Sequence, residues 1–118
     1  MESCQTSKVG VDPLLLAGRV LGAWRRGDGS SQRGLARLLG VKQPTWRNVE
    51  LGVKPPGRVL FIRMILFLKF NKKQILSLSV LYHHHNIELP LEEVHVTNVM
   101  EAFGLDESDL MIGDQLPW

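Results

Sequence analysis

The stretch SQRGLARLLGVKQPTWRNVELG, residues 31–52, decides the fold. Ser31 has the short acceptor side chain that caps a helix, and Leu35, Ala36, Leu38 and Leu39 follow as an inner face of barely two turns. Gly40 stops that helix because glycine takes the left-handed conformation with which helices commonly end. After Val41 and Lys42, the segment Gln43 to Leu51 places Trp46 and Val49 on one side, with Thr45 beside them, and leaves Gln43, Arg47 and Asn48 outside. Gly52 ends it, and Pro55-Pro56-Gly57 prevents an early restart. Two stubby helices joined by a tight turn form the layout of a helix-turn-helix.

Working outward, Asp12 caps and Pro13 opens a preceding helix, whose apolar positions Leu14, Leu15, Val20, Leu21 and Trp24 carry it to about Arg26 before Gly27-Asp28-Gly29 breaks it. Downstream, Val59 to Phe70 is apolar nearly all round, which requires cover on two sides. Asn71 caps a further helix from Lys72 to about Tyr82, also richer in apolar residues than one stripe. A domain of roughly 70 residues has little core to hide both. A second copy of the chain is therefore the expected cover, through Phe61, Ile65, Leu68, Leu78 and Leu81, with Val99 and Phe103 from the segment beyond. That segment reads as a link from His83 to Leu89 and a helix opened by Pro90 and stopped by Gly104; a last short helix runs from an Asp106 cap to Ile112. A short strand over Ile87 to Val96 is the weaker alternative. The expected architecture is all-α: a flexible N-terminus at 1–11, a five-helix domain at 12–82, and an acidic, mainly helical extension at 83–118.

Charge divides the chain in the same place. The net charge of +2 over 118 residues conceals fourteen cations that all lie between Lys8 and Lys73, opposed by four carboxylates within residues 1–73. That half is formally +10; from Gln74 onward there is no Lys or Arg, and eight carboxylates give −8. So complete a split suggests a front that meets a polyanion and a back with another task. Arg33, Arg37, Lys42, Arg47, Lys54 and Arg58 cluster on or around the helix pair, suited to phosphate contacts.

At this point the sequence resembles a known family. Gln32, Leu35-Ala36, Leu39-Gly40-Val41, then Thr45-Trp46, Val49-Glu50, Gly52 and Pro55, in this order and spacing, are similar to the lambda-repressor-like, Xre/Cro-type helix-turn-helix domain, over about Asp12 to Leu78. The resemblance implies a sequence-specific DNA-binding regulator, most simply a repressor, acting as a homodimer on an inverted repeat. It implies that Gln43, Pro44, Arg47 and Asn48 face the major groove, that Gln32 contacts the backbone or a nearby base, and that Arg25 and Glu50 form an ion pair tying the first helix to the third. The chain departs from the pattern at Lys42, a poor cap; at Pro44, where a polar side chain is common; and at Trp46, where a smaller aliphatic is usual. The alternative reading is an antitoxin or anti-activator whose acidic segment captures a protein partner, or folds over the basic front as a DNA mimic.

Other chemistry finds no foothold. His83, His84 and His85 are adjacent and so point in different directions, and with His95 they lack ligands at chelating spacing; no metal site and no cofactor is expected. No nucleophile elbow, phosphate loop or convincing carboxylate pair suggests an enzyme. The single cysteine, Cys4, excludes an internal disulfide. The opening Met1 to Thr6 lacks a secretory pattern, and the most apolar stretch is too short to span a bilayer, so no membrane association and a cytoplasmic, nucleoid-associated location are expected.

Overall fold

The computed structural model describes residues 12–86 and 93–110, and among these every regular element is helical. The helices are α1 (Pro13–Asp28), α2 (Gln32–Leu39), α3 (Gln43–Glu50), α4 (Gly57–Phe67), α5 (Lys72–His84), α6 (Glu93–Phe103) and α7 (Glu107–Leu110). Four of the ends follow from local chemistry that the sequence announces. Asp12 accepts from the Leu14 amide ahead of Pro13, and Ser31 accepts from the Gly34 amide. Asn71 and Gln74 form a reciprocal capping box at α5. Gly40 closes α2 at φ 73°. The break expected at Gly27 comes later: α1 runs through Gly27 and Asp28 and ends at Gly29.

α1 is the central element, packed against α3, α5, α6 and α7, while α2 packs on α3 and α4. Its Leu16, Ala17, Val20 and Leu21 are fully buried, and Trp46 and Val49 of α3 meet them in one core with Leu35, Ala36 and Leu39 of α2. The far side of the core is closed by Leu60 and Met64 of α4, Leu78 and Leu81 of α5, and Val99 of α6. Each large aliphatic side chain so enclosed contributes about 1.5–3 kcal/mol relative to exposure.

This arrangement corrects the expected interface. Leu78 and Leu81 have no exposed surface, and Val99 and Leu68 are buried too, all within one chain. They are internal core, because α6 folds back onto α5 and supplies the missing cover. Phe61, Ile65 and Phe103 are half-buried. The apolar side chains that do face outward on α4 are Val59, Ile62, Leu66 and Phe67. This helix is covered along Leu60, Met64 and Leu68 and open on its other side, rather than enclosed on two sides.

The acidic segment joins the same body. Phe103 meets Phe70 edge to face with centroids 5.6 Å apart, and Phe70 meets Trp24 of α1 at 5.0 Å. Arg26 donates to the carbonyl of Asp109 at 3.4 Å. Asp106 accepts from Ser108 and from the Asp109 amide, bonds that hold its carboxyl below the ordinary range. The link expected from His83 begins later, because α5 runs through His84, and the strand alternative over Ile87 to Val96 fails from residue 93 on, where α6 is helical. Residues 87–92 with Pro90, the end of the last helix at Ile112 and the N-terminus at 1–11 lie outside the described residues.

Candidate nucleic-acid interface

The turn between α2 and α3 is held from three directions. The Gly40 amide returns to the carbonyls of Ala36 and Arg37, and the Val41 amide to Ala36 at 3.0 Å. From α4, Arg63 donates to the carbonyl of Leu39 at 3.1 Å, so a cation sits on the negative end of α2. Nothing in the local sequence announces the Arg63 clamp, since it reaches across from another helix. At the start of α3, Lys42 makes no side-chain cap bond, as its chemistry predicts, and Pro44 spares one of the otherwise unsatisfied amides.

Glu50 is the hub that fixes how α3 sits. Its carboxylate accepts from Arg25 Nε at 2.5 Å and from a second guanidinium nitrogen at 3.1 Å, so the ion pair that the resemblance implies is present and bidentate. It also accepts from Trp46 Nε1 at 2.5 Å and from Gln32 Nε2 at 3.0 Å. Gln32 in turn accepts from Gln43 Nε2 at 3.1 Å. Five side chains from α1, α2 and α3 therefore form one chain of hydrogen bonds around a single buried acid. The indole of Trp46 is the member that sequence reasoning misses: burial was legible from its spacing, but its N–H contact with Glu50 was not.

α1 and α3 approach closely enough for this network because of Gly18. A methyl group there would meet the carbonyl oxygens of Glu50 and Val49, the latter at 2.7 Å. The backbone of α3's last turn thus lies directly against α1, and this small-residue contact was not anticipated.

The other predicted residues divide by exposure. Pro44 and Arg47 are exposed on the outer side of α3, Gln43 and Asn48 are half-buried at its margin, and Thr45, expected inside, is exposed instead. Arg33, Arg37, Lys42 and Lys54 are all exposed around the helix pair. Arg58 is exposed as well but lines a cleft with Pro55, Phe61 and Tyr82. Between Asp28 and Glu88 the chain contains one carboxylate, Glu50, and it is 9% exposed and engaged with Arg25 and Trp46. Every cation on the described surface from Gly29 to Asn86 therefore stands without an exposed acid from that same stretch.

Among the described residues no group of three or more His, Cys, Asp or Glu side chains is arranged to hold a metal. No described helix is long and apolar enough to cross a membrane. No family model, curated protein or solved structure matches the chain.

Proposed function

We propose that this protein is a sequence-specific binder of double-stranded DNA, a transcriptional regulator that inserts α3 into the major groove as a homodimer. The observation that carries this reading is the outward face of the helix pair: an open, basic surface whose only carboxylate is buried. A narrow helix flanked by cations suits a groove walled by phosphates. The motif resemblance from Gln32 to Pro55 supports the same reading, with repression as the simplest outcome.

The hydrogen-bond chain adds a chemical reason for selectivity. An ionised carboxylate only accepts, so Gln32 must present its amide N–H to Glu50 and its carbonyl to Gln43. Gln43 then presents its N–H to Gln32, leaving its own carbonyl and one N–H for a partner. That donor and acceptor pair matches the N7 and N6 edge of adenine. Arg47, free on the outer face, has the planar fork that suits guanine, and Thr45 joins Pro44 as a small contact for a thymine methyl. Arg33, Arg37, Lys42 and Lys54 serve the phosphates.

Self-association of two copies needs an exposed apolar surface that one chain leaves uncovered. Val59, Ile62 and Leu66, spaced along one exposed stripe of α4, provide one.

Selection of bound sequences from a random duplex pool tests the function. An inverted repeat with half-sites about one helical turn apart is expected. Arg47→Ala should flatten the preference at its base position, while Arg33→Ala should weaken all sequences alike and reduce the salt slope by about 1. Equal binding of the wild-type chain to selected and scrambled duplexes would overturn the reading.

A further inference from the structure

We propose that His84 and His95 form a pH-sensitive latch between α5 and α6, closed while both rings are neutral and opened when they take up protons. The rings come from different helices and lie with centroids 4.9 Å apart, tilted by 50°. His84 stands in the last turn of α5 and His95 in the first turn of α6. Both side chains are half-buried, and the Nδ1 atom of each is enclosed without a hydrogen-bond partner among the described residues.

The chemistry of imidazole turns that geometry into a switch. A neutral ring has one N–H and one bare nitrogen, so it can leave the enclosed Nδ1 bare, whereas an imidazolium carries an N–H at both positions. Protonation therefore puts a charged donor where no acceptor exists, and an enclosed donor without an acceptor is costly. Two imidazolium rings in contact also repel each other. When α6 moves off α5, both nitrogens reach water and both penalties disappear. The open form accordingly binds protons more readily than the closed one, so closure is stable above the imidazole range and weakens as pH falls through it.

Neighbouring groups do not neutralise the pair. On α5, His83 meets the His84 ring with centroids 6.2 Å apart and adds a third titrating ring, His85 is exposed, and Tyr82 packs against Phe61. α6 opens at Glu93 and carries Glu101, exposed and well past His95. On α1, which packs on both helices, Arg25 binds Glu50, Arg26 lies on the Asp109 carbonyl, Asp28 accepts from Ser30, Asp12 caps the helix, and Arg19 lines the cleft toward α3. The positive end of α6 opposes a cation at His95, although the negative end of α5 tolerates one at His84. Beside the pair, a cleft of about 120 Å³ between Leu76, Val80, His95 and Val99 leaves the seam short of full packing. Among the described residues Val99 is the one fully buried side chain that α6 contributes, so a modest penalty suffices to open it. This inference is independent of DNA binding.

Backbone hydrogen exchange on the full chain tests the latch, read as protection factors so that the intrinsic effect of pH cancels. Between about pH 7.5 and about pH 5.5, protection of the α6 amides from Val99 to Phe103 should fall at least about tenfold, the scale of one linked proton per pH unit, while Val20 and Leu21 of α1 keep theirs. The double variant His84→Phe with His95→Phe keeps two rings in the seam and removes their titration, so the fall should disappear. His83→Gln with His85→Gln should leave it in place. NMR titration of the wild-type rings gives a second reading that needs no variant: His84 and His95 should take up protons in step with the loss of α6 protection. Constant protection across this range, a fall that survives in the double phenylalanine variant, or rings that protonate while α6 stays closed would each overturn the proposal.

Discussion

Glu50 concentrates more of the molecule's organisation than any other side chain, because one carboxylate receives donors from Arg25, Trp46 and Gln32. Removing different partners should therefore have graded effects. Trp46→Phe loses one N–H to a charged acceptor, an expected cost of about 1.5–3 kcal/mol, to which the space left by the smaller ring in a fully buried site adds. Glu50→Ala leaves a largely buried guanidinium and an indole without their acceptor, and should cost about 3–5 kcal/mol. Denaturant midpoints of the two variants check the order; equal losses would mean that the hub does not act as one unit. The pairing of Arg25 with Glu50 was legible in the sequence through the motif. The indole contact was not, since periodicity reports which way a side chain faces and not where its one polar atom finds a partner.

At the level of elements, caps and stops were the legible part. Asp12, Ser31, Gly40 and Asn71 act on amides or carbonyls within a few residues of themselves, so local sequence contains the whole interaction. Contacts between elements were less visible. Gly18 reads as an ordinary helix glycine until α3 is seen lying against it, and Arg63 reads as an interruption of an apolar helix until its guanidinium is found on the Leu39 carbonyl. Gly18 and Gly22, two of the three glycines of α1, give a clean comparison. A methyl at Gly18 would meet rigid backbone, whereas one at Gly22 would meet side-chain atoms of Arg26 and Glu50 at 3.2 and 3.3 Å, outside the severe range. Gly18→Ala should destabilise by about 3 kcal/mol through overpacking, and Gly22→Ala should stay within about 1 kcal/mol because better helix propensity offsets a mild contact. Equilibrium unfolding of both variants measures the difference, and similar values would show that α1 and α3 separate without cost.

Across the whole molecule, the change in charge does not mark a change of body. Val99 of α6 is 1% exposed, and Phe103 reaches Trp24 of α1 through Phe70. The excess of apolar residues in the α4 and α5 segments was correctly visible in composition; the identity of the cover was not, because a count of hydrophobic side chains states how much must be hidden and not by what. Truncation after Tyr82 should consequently uncover Leu78 and Leu81 and lower stability outright, making it a poor assay of self-association. Leu66→Glu is the better one: the residue is 64% exposed, so the fold should keep its melting temperature while sedimentation shifts from dimer to monomer. An unchanged dimer would move the interface away from α4.

Segregated charge has a final consequence. Cations line α2 and α3, whereas acids such as Glu101, Asp106 and Asp109 belong to α6 and the residues after it, so charge is unevenly spread over the folded surface. If α2 and α3 meet phosphates as proposed, that unevenness would give rise to a torque in the field of a charged rod before contact and favour one attitude during approach.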